Sequence, residues 1–307
     1  MHMNQIKQTE ILLESGTNEL EIMEFTIAGE VYGLNVAKVK EIMNVMPVKP
    51  MQKSHPFVEG IFKPRDEVIP VINLAAYLGL PASGNPERDI FIITNFNLQV
   101  FAFHVHSVVG IDRISWKNIK KTDRIIYGGE EGVATGIAEY EKRLITILDF
   151  EKIIAEISPE TSIKVSDVER LGNHAGSDKP ILVAEDSALL AKMLLESLSR
   201  AGYTNVVKTD NGQEAWEYLQ GAKNADGEIT SHVACIISDI EMPQMDGHRL
   251  TKLVKSDPVF KQIPLILFSS LITEEMRIKG KELGADEQVS KPEILKLVSI
   301  LDRFLKE

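Results

Sequence analysis

Before Ser158 the chain alternates apolar and polar residues in short bursts, the period-two signature of half-buried strands. The stretch "LEIMEFTIAGEVYGLNV" places two such runs around an Ala-Gly-Glu turn, which predicts a hairpin. "EGIFKPRDEVIPVINL" and "DIFIITNFNLQVFAFHVHS" repeat the scheme around Pro-Arg-Asp and Asn-Phe-Asn, and "VATGIAEYEKRLITILDF" repeats it again. A weak internal echo runs through "VIPVINLAAYL" and "LITILDFEKII", where a strand meets Asn73 or Asp149 and an apolar-periodic segment follows. Asn and Asp suit helix N-caps, so both are expected to open short helices. Val36, Val39, Ile42 and Met43 fall at helical spacing and are expected to form a core-facing helical stripe. Many short hairpins closing on themselves predict an all-β half built as small β-barrels.

After Lys179 the rhythm changes. The runs "ILVAE", "NVVKT", "VACIIS", "PLILFSS" and "EQVS" read as strands, each followed by a helix-period segment such as "ALLAKMLLESLSRAG" or "EILKLVSILDRFLKE". Five βα units of this length predict an α/β doubly wound fold on a five-stranded parallel sheet. Between the halves, Gly172 to Lys179 is polar with two glycines, as a linker is. The expected organisation is an N-terminal extension over 1–19, an all-β domain over 20–157, a linker over 158–178 and the α/β domain over 179–307.

In parallel sheets of this kind ligands bind beyond the carboxyl ends of the strands. Several reactive side chains fall there. Glu185 and Asp186 end the first strand of the α/β half, Asp239 ends the third, Ser269 the fourth, and Lys291 follows the fifth. An acid after a strand is ordinarily a cap or a turn former. Three carboxylates, a hydroxyl and a lysine at the ends of one sheet instead suit phosphoryl transfer to a carboxylate. Clustered carboxylates favour a hard cation such as Mg²⁺, Asp239 can act as nucleophile, and Lys291 and Ser269 can hold phosphoryl oxygens. Pro243 and Gly247 would stiffen the loop beside Asp239.

Composition narrows the function classes. With 44% hydrophobic and 26% charged residues the chain is of ordinary globular make-up, and no apolar run approaches a membrane span. The opening stretch has neither the basic start nor the apolar core of a secretion signal, so a cytoplasmic location without membrane insertion is expected. The net charge of −11 is spread over both halves: from Asp178 onward there are 16 basic and 21 acidic residues. Such a surface repels phosphate backbones, so no nucleic-acid output is expected. The single cysteine, Cys235, lies in an apolar run and is expected to be a buried structural thiol.

Residues 179–307 resemble the receiver domain of bacterial response regulators through "AEDS", "SDIEMPQMDG", "FSS" and "SKP". The resemblance implies phosphorylation of Asp239 by a histidine kinase. It also implies an Mg²⁺ site of Glu185, Asp186, Asp239 and the main-chain carbonyl of Glu241, with Ser269 and Lys291 reading the phosphate. Two positions depart from the family pattern. Gln288 stands where a switch aromatic is usual, and Leu271 where a polar residue can position water, so a long-lived acyl phosphate is expected. Residues 20–157 resemble CheW through "MEFTIAGEVYGLNVAKVKEIM", "VEGIFKPRDEVIPVINLAAYLGL" and "YEKRLITILDFEKI". The usual Asn-Leu-Arg-Gly turn reads Lys63-Pro64-Arg65-Asp66, and the resemblance points to Arg65 as a receptor or kinase contact. A CheW-like domain ahead of a receiver is the layout of the CheV family. That implies a non-enzymatic adaptor between chemoreceptors and the histidine kinase CheA, held at membrane receptor arrays through protein contacts.

Two other classes stay open on the residues alone. An aspartyl-phosphate hydrolase also uses a strand-end Asp, with a second acid two residues later, where Glu241 stands; a response regulator with a transcriptional output is the other. The remaining features have plainer readings. His104 and His106 share a strand face without a third ligand and are expected to be packed or solvated. Lys252, Lys255 and Lys261 are expected to form a solvated face, and Trp216 to pack on the sheet.

Overall fold

The computed structural model describes residues 19–96, 99–120, 132–169, 174–224, 227–270, 272 and 274–306. In the first half the strands are β1 (Glu19–Ile27), β2 (Glu30–Asn35), β3 (Val39–Asn44), β4 (Val58–Phe62), β5 (Ile69–Asn73) and β6 (Ile90–Phe96). They continue as β7 (Gln99–Val105), β8 (Ser107–Ser115), β9 (Ile119–Lys120), β10 (Ala134–Tyr140) and β11 (Arg143–Leu148). They form two sheets, ordered β8-β1-β2-β11-β10-β9 and β3-β6-β7-β5-β4. Period-two alternation explains how one strand serves two cores. On β6, Ile92 and Phe96 face a core shared by both sheets, while Phe91 and Ile93 face a core enclosed by the second sheet alone. Ile22, Ala138 and Ile145 fill the equivalent space inside the first sheet.

The predicted hairpin β1–β2 turns at Ala28 and Gly29, with φ of 52° and 87°. Two successive left-handed residues are what a tight hairpin requires, and glycine supplies one without steric cost. The β6–β7 hairpin pairs as far as Phe96 with Gln99; the tip of its Asn-Phe-Asn turn lies outside the described residues. Asn73 caps α1 (Leu74–Tyr77) by accepting from the Ala76 N–H at 2.8 Å. Asp149 caps α2 (Phe150–Ile157) by accepting from the Lys152 N–H at 2.9 Å.

The stripe at Val36, Val39, Ile42 and Met43 is not a helix. Val36–Lys38 makes one 3₁₀ turn and the rest is β3, paired antiparallel with β6. Ile42 lies opposite Ile92 and is 43% exposed. Helical spacing was present, but β-branched residues beside an open sheet edge gain ladder hydrogen bonds that override it.

The second half carries β12 (Ile181–Ala184), β13 (Val206–Thr209), β14 (Cys235–Ser238), β15 (Leu265–Ser269) and β16 (Glu287–Ser290). All four pairings are parallel, in the order β13-β12-β14-β15-β16. The segment expected to be a linker carries α3 (Val165–Glu169), and its Ile163 and Val168 are buried in the core of the second half. That core also takes α4 (Ala188–Arg200) and α9 (Ile294–Leu305) on the same sheet face. The opposite face packs α5 (Gly212–Lys223) and α7 (Gly247–Ser256), with α6 (Ile229–His232) beside them. Trp216 packs edge-on against Phe260 on that face, and Cys235 is fully buried in the core on the α4 and α9 face. Lys255 departs from its expected place on a solvated face. It is 13% exposed, paired with Asp286 at 2.6 Å, and donates to the Ile263 carbonyl at 2.8 Å. The remaining helix, α8 (Glu274–Glu282), buries only Gly280. Among the described residues no helix is long and apolar enough to cross a membrane.

Candidate phosphoryl-transfer site

The strand order reverses between β12 and β14, and a doubly wound sheet opens a crevice at such a point. Glu185 and Asp186 leave β12 on one side of it, and Asp239 leaves β14 on the other. Oxygens of these three carboxylates lie within 4.8 Å of one another. Lys291, directly after β16, places its ammonium 2.9 Å from both Asp239 Oδ2 and Glu185 Oε2. The other oxygen of Asp239, Oδ1, accepts from the Ile240 N–H at 2.7 Å. Ser269 closes β15 and is fully buried. The four charged residues expected at the strand ends therefore converge, and the Ser269 carbonyl accepts from the Lys291 N–H at 3.1 Å.

The loop after Asp239 is held by backbone geometry. Asp246 caps α7 by accepting from the Arg249 N–H at 2.7 Å. A Cβ on Gly247 would fall 2.0 Å from the Asp239 carbonyl oxygen, so only glycine lets the helix start this close to the strand end. Gln244, at φ 65°, stands in the left-handed region, a strained state that the surrounding bonds must hold in place.

Burial and mutual repulsion set the electrostatics. Burial first, then Asp239 and Asp186, hold the Glu185 carboxyl well above the usual range despite Lys291. Burial, then Asp239 and Asp149, do the same to Asp186. Burial alone would lower Lys291, but Asp239, Glu151 and Glu185 hold it firmly protonated. Carboxylates pressed together with one ammonium form an oxygen-rich pocket that suits a hard divalent cation.

Further residues enter the site, and the sequence pattern did not point to Glu151, Lys38 or Ser270 there. Glu151, in the first turn of α2, reaches from the β half to Lys291 at 3.0 Å and accepts from Ser270 Oγ at 2.6 Å. Lys38 pairs with Glu151 and with Glu241, each at 2.8 Å. Burial would raise Glu151, but Lys291 and Lys38 outweigh it and hold the carboxyl well below the ordinary range. The caps touch as well, with Ser187 Oγ donating to Asp149 Oδ2 at 3.2 Å. Glu151 was legible only as a first-turn acid complementing a helix N-terminus; nothing local shows that it faces another domain. The Glu241 side chain, engaged by Lys38, is not placed as the free general acid that a phosphohydrolase would need.

Gln288 is half-buried, donates to the Arg277 carbonyl at 2.7 Å and packs beside Gly280. Its Oε1 has no partner among the described residues. Leu271 lies outside the described residues. Arg65, 78% exposed, sits between β4 and β5 and pairs with Glu41 at 3.2 Å. His104 bridges Glu59 and Asp89 at 2.8 and 3.0 Å, a packed structural role. A cleft of about 740 Å³ runs between the halves, lined by Asp149, Glu151, Asp186 and Glu241 among others.

Residues 21–158 match the CheW-like domain family, and residues 181–302 match the response regulator receiver domain family. Chemotaxis protein CheV3 of Helicobacter pylori is 30% identical over 302 residues, spanning 94% of this chain and 95% of its own. Chemotaxis protein CheV2 of the same organism is 28% identical over 306 residues, with the same coverage. Among solved structures, the scaffolding protein TtCheW of Thermoanaerobacter tengcongensis is 26% identical, covering 42% of this chain and 88% of its own at a TM-score of 0.40.

Proposed function

This chain belongs to the CheV family of chemotaxis proteins, a CheW-like domain joined to a receiver, and we propose that it couples chemoreceptors to the histidine kinase CheA under control of phosphorylation at Asp239. It is an adaptor rather than an enzyme. The observation that carries the control is the convergence of Lys291, Glu185 and Asp186 on Asp239 at the strand ends. The coupling rests on the CheW-like half. Arg65 is assigned to its contact with a receptor or the kinase, on exposure and on its place in the turn. The protein would then sit at receptor arrays on the cytoplasmic side.

Glu185, Asp186, Asp239 and the main-chain carbonyl of Glu241 are the assigned Mg²⁺ ligands. Bound there, Mg²⁺ supplies positive charge that offsets the phosphoryl oxygens. In the transfer, a carboxylate oxygen of Asp239 attacks phosphorus, an O–P bond forms, and the P–N bond to the kinase histidine breaks. The electron pair leaves with the imidazole nitrogen, which keeps it as its lone pair or takes a proton from water. Lys291 stays protonated and pairs with a phosphoryl oxygen, while Ser269 donates a hydrogen bond to another. The Asp239 side chain thereby goes from one negative charge to about −1.5 to −2, spread over three phosphoryl oxygens.

Phosphotransfer from labelled CheA-type kinase tests the assignment. Label should pass to the wild-type chain and not to Asp239→Ala; equal labelling of the two would remove Asp239 from the acceptor role.

A further inference from the structure

Glu151 belongs to the CheW-like half, yet its carboxylate sits among groups of the receiver site. Oε2 lies 3.0 Å from Lys291 Nζ, the same ammonium that binds Asp239 Oδ2 at 2.9 Å. Oε1 accepts from Ser270 Oγ at 2.6 Å and from Lys38 Nζ at 2.8 Å. A lysine and a serine hydroxyl converging on two oxygens of an anion beside Asp239 form the kind of donor set that an acyl phosphate there would need.

We propose that Glu151 is a built-in occupant of the phosphoryl seat, so that docking of α2 on the receiver and phosphorylation of Asp239 compete for Lys291. The proposal rests on Asp239 being the acceptor. Its consequence is directional: phosphorylation expels α2 and separates the two halves, and docked α2 slows phosphorylation.

Two physical points carry it. The first is access. Asp239 and Ser270 are each 3% exposed, Lys291 1% and Glu151 8%, so a phosphodonor reaches Asp239 only after the cover moves. The second is charge. Lys291 already faces three carboxylates, from Asp239, Glu185 and Glu151. The phosphoryl group of an acyl phosphate carries about −1.5 to −2, more than the single charge of the Glu151 carboxylate, and one ammonium cannot neutralise both in a buried site. Lys38 serves as the latch, because it holds Glu151 of its own half and pairs across to Glu241 of the receiver beside the seat.

The test uses the full chain with Mg²⁺ and acetyl phosphate, whose P–O bond breaks to release acetate as the Asp239 O–P bond forms. Glu151→Gln keeps the shape and removes the charge. It should label faster than wild type, on the order of tenfold, the worth of one charge-assisted contact. In parallel, small-angle scattering of the wild-type chain should give a larger radius of gyration once Mg²⁺ and beryllofluoride are added, and Asp239→Ala should not respond. A wild-type labelling rate in folded Glu151→Gln, or an unchanged radius in the wild type, overturns the competition. The scattering arm decides without any Glu151 variant, so misfolding of that variant leaves the question answerable. Label entering Asp239→Ala as fast as wild type would instead overturn the acceptor assignment, a distinct result.

Discussion

His248 is 4% exposed on α7, and its Nε2 has no partner among the described residues. Burial, then the Lys279 ammonium, push its pKa down from 6.5 to about 4 against a smaller opposing pull from Asp246. The unfolded chain takes up this proton near pH 6.5, whereas the folded chain does not until about pH 4. Between those values the unfolded state binds more protons, so stability falls as pH falls through the window. The full effect is about 3 kcal/mol. Urea midpoints compared at about pH 7 and about pH 4.5 should show a shallower pH dependence for His248→Gln than for wild type. Equal slopes would assign the acid sensitivity to groups other than His248, and not to Glu185 or Asp186, whose raised values act with the opposite sign.

At the scale of elements, α2 joins packing to chemistry. Its first residue, Phe150, is buried with ring centroids 4.6 Å from Phe103, 6.2 Å from Phe25 and 6.4 Å from Phe96. Its second residue is Glu151. The aromatic anchor fixes the helix start against both sheets, and the start aims the carboxylate outward at the receiver. Phe150→Ala should cost about 3–5 kcal/mol through lost burial and a cavity. Denaturation followed by tryptophan and far-ultraviolet signals measures this, and a loss below about 1 kcal/mol would contradict the packing. Elements with caps and strong alternation were legible in the sequence because those preferences are local. Asn73 and Asp149 cap as expected. The stripe at Val36 to Met43 was misread because its outcome depends on β6, whose residues lie some fifty positions further on.

For the whole molecule, the acidic crevice and the interface between halves form one electrostatic unit. Six carboxyl groups, from Asp149, Glu151, Glu185, Asp186, Asp239 and Glu241, share it with Lys38 and Lys291. A cation that binds the folded site stabilises the fold by mass action, about 2.7 kcal/mol at a hundredfold excess over its dissociation constant. Thermal melts should therefore rise with added Mg²⁺ in the wild type and stay flat in Asp186→Asn. A rise of the same size in the variant would remove Asp186 from the ligand set.

The sequence alone determined the two architectures and the charged cluster at the strand ends. An acid or lysine that ends a buried strand is carried to the sheet's rim by the strand itself, so the meeting of Glu185, Asp186, Asp239 and Lys291 was legible in the sequence. Only the tertiary structure decided what covers that rim. Glu151 and Lys291 stand 140 positions apart, and Lys38 stands 113 from Glu151. No period, cap or turn links residues so distant. Their meeting depends on how two finished surfaces dock, and the free energy of docking comes from complementary shape and charge that neither surface expresses in its own local pattern.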